Sequence, residues 1–356
     1  MIDPTQRRAV REETDRLLAA FVAAGALPVE ADILQSAETL LDLYGEDIRA
    51  RAYVTSDPLR GEMMLRPDFT VPVVEMHLSA GAEPARYTYA GPVFRRQEVD
   101  ESRPNEYAQV GFEVFDGADP AAADAEVFAT ILGALDLPGA VPVTGDIGLL
   151  RAALSGIEIS ERRRGALFRH LWRPRRFRAL LDRFSSDAPA RALPEDLPEV
   201  PLVGKRSAVE IEARLEALRA DAEEPPLSAD QRGLIDRLLN LKEALPFVID
   251  ALRDLAVDLP AIGPAVDGLA RRAEALAARG IDIDSLAFEG SYGRTSMEYY
   301  DGFVFGISAP QSPDLPPIAT GGRYDALTRM LGGRGAVPAV GGVVRPEGLL
   351  AARGGA

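Results

Sequence analysis

Residues 91–117 read GPVFRRQEVDESRPNEYAQVGFEVFDG. An apolar piece ending at Phe94 meets Arg95 and Arg96, and a polar loop of about ten residues comes next, too charged to be buried. The chain returns as YAQVGFEVF, with Tyr107, Gln109, Gly111 and Glu113 two residues apart. Strict alternation places those four on one face of a strand. A long antiparallel hairpin is expected, with Arg95 at its base and Gln109 and Glu113 across from it. That face offers a cation, an amide and a carboxylate, the set a small zwitterion requires. A solvated sheet face is the alternative that these residues alone leave open.

Upstream of the hairpin, Met63–Pro67 reads as a strand running into Asp68, Phe69 and Thr70, with Thr70 as a helix cap and Pro72 in the first turn. A further strand is expected around Ala52–Thr55. Residues 29–44 read as a strand leading into a helix whose apolar stripe is Leu40, Leu41 and Leu43. Residues 4–24 read as an amphipathic helix carrying Val10, Leu17, Leu18, Phe21 and Val22, broken by Pro28.

Downstream, Asp119 to Leu137 reads as an alanine-rich helix ended by Pro138. Between 141 and 264 the pattern turns helical. Residues 145–148, GDIG, open a run rich in leucine and arginine, and Ser207-x-x-Glu210 and Ser228-x-x-Gln231 are capping-box signatures. Nine arginines fall between Arg162 and Arg183, interleaved with apolar residues. Such a cluster binds phosphate or forms the solvated or partner-facing side of amphipathic helices, and the acidity of the chain favours the second. The expected organisation is a first part, 1–140, a mainly helical insertion, 141–264, and a second part, 265–356. In the second part a helix over 265–279 is closed by Gly280. Strands are expected at Leu286–Glu289 and Glu298–Ile307, then a helix over 323–331 and a strand at Ala339–Val344.

With 356 residues the chain can bury a sizeable core as one large or two medium domains. Its apolar share of 47% and charged share of 27% are those of a globular protein. No apolar run reaches the roughly 18 residues of a membrane span, and the charged N-terminus lacks the apolar core of a signal peptide. There is no cysteine, which excludes disulfides, thiolate nucleophiles and cysteine-bound zinc. His77 and His170 are the two histidines, too few for a histidine-rich metal site. A net charge of −15 argues against nucleic acid as main partner, because that binding rests on neutralising phosphates. A cytoplasmic location is expected.

Phe94-Arg95 followed by Tyr107, Gln109, Gly111 and Glu113 resembles motif 2 of class II aminoacyl-tRNA synthetases, in its histidyl-tRNA synthetase form. LRPDFTVPV, residues 65–73, resembles the segment that holds the substrate's amino group. Tyr299-Tyr300-Asp301-Gly302 resembles that family's tyrosine-pair strand, and Gly321-Gly322-Arg323-Tyr324-Asp325 its glycine-rich turn. Motif 1 matches only loosely over 29–44, where the usual proline is missing. The motifs keep the family's order over most of the chain. The resemblance implies an α+β fold, a class II aminoacyl-tRNA synthetase-like antiparallel sheet flanked by helices, with a helical insertion and no anticodon-binding domain. It also implies a histidine pocket. Asp68 and Thr70 would face the α-amino group beside Gln109 and Glu113, Arg95 would be the motif 2 arginine, and Tyr300 and Tyr324 would wall the imidazole slot next to Tyr299.

The resemblance weakens where ATP would bind. Adenylate formation needs cations on the phosphates, where charge develops in the transition state. The slot of the family's catalytic arginine holds Thr295; Arg294 is one residue off, which on a strand is the opposite face. Motif 3 ends in Glu347-Gly348 in place of a Glu-Arg pair, with Arg345 three residues early and Pro346 between. The hairpin loop, QEVDESRPNE, is acidic and would repel ATP and tRNA alike. Of the expected cations only Arg95 remains. This profile is similar to that of the regulatory subunits of ATP phosphoribosyltransferase. That family implies no catalytic residues, cofactor or metal, and a short catalytic subunit as partner in the first step of histidine biosynthesis. It further implies feedback by histidine, and a homodimer within a larger hetero-oligomer. A reduced histidyl-tRNA synthetase and an RNA-binding paralogue are the alternatives.

Overall fold

The structure, a computed structural model, describes residues 4–44, 51–96, 104–186, 204, 206–295, 299–310, 316–332 and 337–354, the side chains of 42–44 excepted. Most of the acidic hairpin loop, residues 97–103, and the side chain of Leu43 therefore lie outside the described residues.

Helix α1 (Pro4–Ala23) precedes a short strand β1 (Leu27–Pro28), then β2 (Leu34–Ser36) and α2 (Ala37–Tyr44). Strands β3 (Val54–Asp57) and β4 (Gly61–Leu65) join β2 in a small antiparallel sheet, order β2-β4-β3. Helix α3 (Thr70–Ala80) leads into the expected hairpin, β5 (Ala85–Phe94) and β6 (Glu106–Phe115), in which Tyr89 lies opposite Gly111 and Tyr87 opposite Glu113. Helix α4 (Pro120–Leu135) is capped by Asp119, whose side chain accepts from the Ala122 N–H. It stops before Pro138, because Asp136 turns into the left-handed conformation at φ 42°.

Strand β7 (Val141–Asp146) opens the region expected to be helical. Helices α5 (Ile147–Gly156), α6 (Glu161–Arg169), α7 (Pro174–Phe184), α8 (Ala208–Glu223) and α9 (Ala229–Asn240) come after it. Strand β8 (Lys242–Ala244), α10 (Leu245–Asp258), a 3-10 turn at Pro260–Ile262 and α11 (Gly263–Ala278) lead back to the sheet. The chain then runs through β9 (Ala287–Glu289), β10 (Phe303–Ser308), β11 (Ala319–Arg323), α12 (Asp325–Gly332), β12 (Ala339–Val344) and α13 (Pro346–Gly354).

Among the described residues nine strands form one sheet, order β1-β5-β6-β12-β11-β10-β7-β9-β8. All neighbours are antiparallel except β1–β5 and β7–β9. The helical insertion therefore does not open at 141. Residues 141–146 pair with β10 from Val141–Ser308 to Asp146–Phe303, inside the sheet. Val141, Val143 and Thr144 suit a strand. Asp146 sets the helix start at Ile147 by accepting from the Gly148 N–H at 2.8 Å. The strand expected from 298 likewise begins only at Phe303. Tyr299 and Tyr300 are consecutive yet face one cavity, which strand alternation does not allow.

The two faces of β6 divide the molecule. Val110, Phe112 and Val114 are wholly buried on one side, where Phe112 meets Phe21 of α1 at 5.4 Å between ring centres. Phe128 of α4 meets Phe305 of β10 on the same side at 5.3 Å, and α11 packs against α4. Each such side chain contributes roughly 1.5–3 kcal/mol by burial. A buried ion cluster ties these layers together. Arg272 of α11 pairs with Asp146 at 2.6 Å and with Asp124 of α4 at 3.1 Å, and Arg323 of β11 pairs with Asp124 at 2.7 Å. Gln109, Gly111 and Glu113 alternate to the other face of β6.

The arginine-rich stretch is partly engaged within the chain. Arg163 is buried and holds Asp221 and Glu224 of the α8 end at 3.0 and 3.2 Å, and Arg183 also pairs with Asp221. Arg164 donates to the carbonyls of Ile157 and Ile159 after α5. Arg169, Arg175 and Arg176 remain exposed. Among the described residues no helix is long and apolar enough to cross a membrane.

Candidate functional site

Six segments meet around a cavity of about 400 Å³ on the open face of β6, a volume within the small-molecule range. The β4–α3 junction supplies Asp68 and Thr70, the end of β5 supplies Arg95, and β6 supplies Gln109 and Glu113. The turn before β10 supplies Tyr299 and Tyr300, and the β11–α12 junction supplies Tyr324. All eight residues singled out in the sequence thus line one cavity. β12 forms the last wall, with Gly341, Val343 and Arg345.

Glu113 is the centre of the hydrogen bonding. It is 1% exposed. Its Oε1 accepts from the Tyr89 hydroxyl at 2.7 Å and from Thr70 Oγ1 at 3.5 Å, and its Oε2 accepts from the Tyr324 hydroxyl at 2.6 Å. Tyr299 donates in turn to Thr70 Oγ1 at 3.3 Å. Burial pushes the Glu113 carboxyl from 4.5 up to about 7, outweighing the three hydroxyl donors that lower it; nearby Asp68 raises it further. Burial, then the charge of Glu113, holds the Tyr89 and Tyr324 hydroxyls well above their ordinary value.

Two glycines make room for this carboxylate. A Cβ on Gly111 would lie 2.1 Å from the Tyr89 ring, and one on Gly341 would lie 1.4 Å from Glu113 Oε2. Only a residue without a side chain lets Tyr89 cross the hairpin and β12 approach the acid. Thr70 does not act as the helix cap its sequence suggests. It is the first residue of α3, the cap position is Phe69 without a side-chain bond, and the Thr70 hydroxyl turns to Glu113. The buried acid thus takes the Thr70 hydroxyl as a third donor beside Tyr89 and Tyr324.

Gln109 is 1% exposed, and its Oε1 is buried with no hydrogen-bond partner among the described residues. A buried amide oxygen aimed into a cavity is satisfied by what enters the cavity. Tyr299 and Tyr300 meet edge to face at 4.9 Å and Tyr299 meets Tyr324 at 6.0 Å, which gives the cavity an aromatic side.

The cations differ from expectation. Thr295 lines the cavity and brings no charge. Arg294 is turned away, but not by strand alternation, since residues 290–295 form turns. Its Nε donates to the Leu171 carbonyl at 3.0 Å and its guanidinium lies 4.5 Å from the Phe177 ring centre, against the helical block. Arg345, three residues away from the motif 3 slot in sequence, nevertheless lines the cavity together with Arg95. Tyr89 is a further site residue that the motifs do not single out. Its role depends on lying opposite Gly111, although the alternation of Tyr87, Tyr89 and Gly91 is a visible signal.

A family model described as histidyl-tRNA synthetase matches residues 2–349. An ATP phosphoribosyltransferase regulatory subunit from Mesorhizobium japonicum is 33% identical over 90% of this chain and 92% of its own length. One from Allorhizobium ampelinum is 31% identical over 91% and 93%. In fold, the chain is similar to a crystal structure from Bacillus halodurans described as an ATP phosphoribosyltransferase regulatory subunit/histidyl-tRNA synthetase. The TM-score is 0.74 at 23% identity, covering 99% of this chain and 81% of that one. The chain belongs to the histidyl-tRNA synthetase family, and within it to the ATP phosphoribosyltransferase regulatory subunits.

Proposed function

We propose that the chain is a non-catalytic regulatory subunit that works in the cytoplasm with a short catalytic subunit of ATP phosphoribosyltransferase, in the first step of histidine biosynthesis. Its cavity receives L-histidine and reports occupancy to the partner. The observation that carries this reading is the composition of the cavity. The acid, amide, hydroxyl and tyrosine groups suited to an amino acid are gathered there, while Thr295 stands in the slot of a phosphate-binding arginine. Arg294 is engaged elsewhere, and Gly348 lies on α13 in the second arginine slot. Adenylate formation needs those charges in place. A site that holds the amino acid without activating it is a sensor.

The chain acts as a homodimer within a larger hetero-oligomer. The Leu40, Leu41 and Leu43 stripe is only partly available to a dimer interface, since Leu40 is buried in the chain's own core. Ile33, Leu34 and Val54, on and beside the small sheet, stay exposed and supply the apolar surface in its place. A ligand that binds one state of such an assembly better than another shifts its equilibrium, which is how occupancy reaches the partner.

Calorimetric titration of histidine into wild type and Glu113→Ala, alone and with the catalytic subunit, tests the pocket. Wild type is expected to bind, and the variant to bind about 10-fold more weakly or worse, as for loss of one charge-assisted hydrogen bond. No heat with wild type, or equal binding by both, would remove the sensor role.

A further inference from the structure

Three buried arginines elsewhere in the chain face carboxylates: Arg163 faces Asp221, Arg272 faces Asp146 and Arg323 faces Asp124. Arg345 does not. Among the described residues its guanidinium meets no carboxylate; Nη1 donates to the Pro317 carbonyl, and Nη2 stands 3.5 Å from Thr320 Oγ1. Desolvation holds its pKa below the ordinary value, Tyr107 opposes this, and the like charge of Arg95 adds to it. Arg294 and Arg66 are buried without an ion pair among the described residues, but Arg294 is stacked on Phe177 and Arg66 on Phe69. Of these three, Arg345 is the one that lines the cavity. A partly desolvated cation with no carboxylate among the described residues is costly, and an anion entering the cavity would remove that cost.

The register shows which end of a ligand Arg345 would meet. Gly341, Val343 and Arg345 alternate onto the face of β12 that carries the cavity. Gly341 lies opposite Glu113 and Val344 opposite Val110. Arg345 is therefore four positions along the strand from the acid, about 13 Å between backbone positions. Side chains reaching toward each other across that span leave room for a small molecule with a hydrogen-bonding ring at one end and an anion at the other. Tyr300 lines the same cavity and is affected from both ends: besides burial, Glu113 and Asp68 raise its pKa while Arg345 lowers it. The orphaned Gln109 oxygen lies on the β6 face that lines this span.

We propose that Arg345, beside Arg95, receives the carboxylate of the bound amino acid and makes the cavity select an α-amino acid over the corresponding amino alcohol. This rests on the histidine reading of the cavity and adds to it a residue for the carboxylate end of the ligand. The contact is charge-assisted and suited to the planar guanidinium.

The test compares L-histidine with L-histidinol, which keeps the imidazole and the ammonium group and replaces the carboxylate by an alcohol. Titrations of wild type, Arg345→Gln and Arg345→Lys are read by calorimetry, with thermal melting to confirm that each is folded. Wild type is expected to prefer histidine by about 10-fold or more. Arg345→Gln should lose most of that preference through weaker histidine binding alone, and Arg345→Lys should recover part of it. The wild-type comparison needs no variant, and equal affinity for the two ligands overturns the proposal. If histidine binds and folded Arg345→Gln keeps the full preference, this inference fails and the histidine reading stands. No binding of either ligand removes both.

Discussion

Glu113 is an acid placed where its charge is disfavoured. Burial raises its pKa from 4.5 to about 7 in the folded chain. A raised carboxyl means that its contribution to stability is fully present below pH 4.5 and is lost as the pH climbs through about 7. The gap corresponds to about 3 kcal/mol by linkage. Glu113→Gln does not ionise. Denaturant unfolding of wild type and variant between pH 4.5 and 7.5 is therefore expected to show wild type losing about 3 kcal/mol relative to the variant as the pH rises. A difference that stays constant across that range would contradict the assignment. A cationic group bound beside the acid would lower its pKa, so ligand binding near neutral pH should release protons, measurable as a buffer dependence of the binding heat. At this scale the sequence is informative where one strand's alternation is enough, as for Gln109 and Glu113. It does not give the roles of Tyr89 and Arg345, which depend on which residue lies across the ladder.

Helix α8 contributes no buried side chain. Its C-terminal end is held by Arg163, which donates to Asp221 Oδ1 at 3.0 Å, to the Asp221 carbonyl at 2.7 Å and to the Pro225 carbonyl at 2.8 Å. Arg163→Ala is expected to raise amide hydrogen exchange across residues 208–223 while leaving β6 and β12 protected, because no side chain of the helix is fully buried. Equal protection in the variant would show that α8 is held by other means. In the sheet, Gly111→Ala forces a methyl group into the Tyr89 ring and should cost about 1–3 kcal/mol in unfolding free energy. Elements with strong local signals, such as the hairpin, α4 and the capping box of Ser207 and Glu210, form where the sequence pattern places them. Strand β7 does not show in the pattern, because six residues carry little periodicity and the GDIG helix start behind them dominates. Its strand character comes from pairing with β10, more than 150 residues away, which no local window contains.

As a whole molecule the chain is proposed to assemble and to regulate without activating its ligand. Light scattering at micromolar concentration is expected to give a dimer, and substituting Ile33 and Leu34 by aspartate should shift it to monomer. A wild-type monomer would count against the exposed apolar surface as an interface. Histidine-dependent exchange of pyrophosphate into ATP is expected to be absent, since Thr295 brings no charge to the cavity; exchange at the rate of an ordinary synthetase would restore the enzymatic reading. The most direct measurement is of phosphoribosyl transfer to ATP by a short catalytic subunit, with and without this chain. Turnover is expected to rise when the chain is added. Histidine should then reduce it with wild type but not with Glu113→Ala. A turnover indifferent to the chain, even in excess, would contradict the regulatory role.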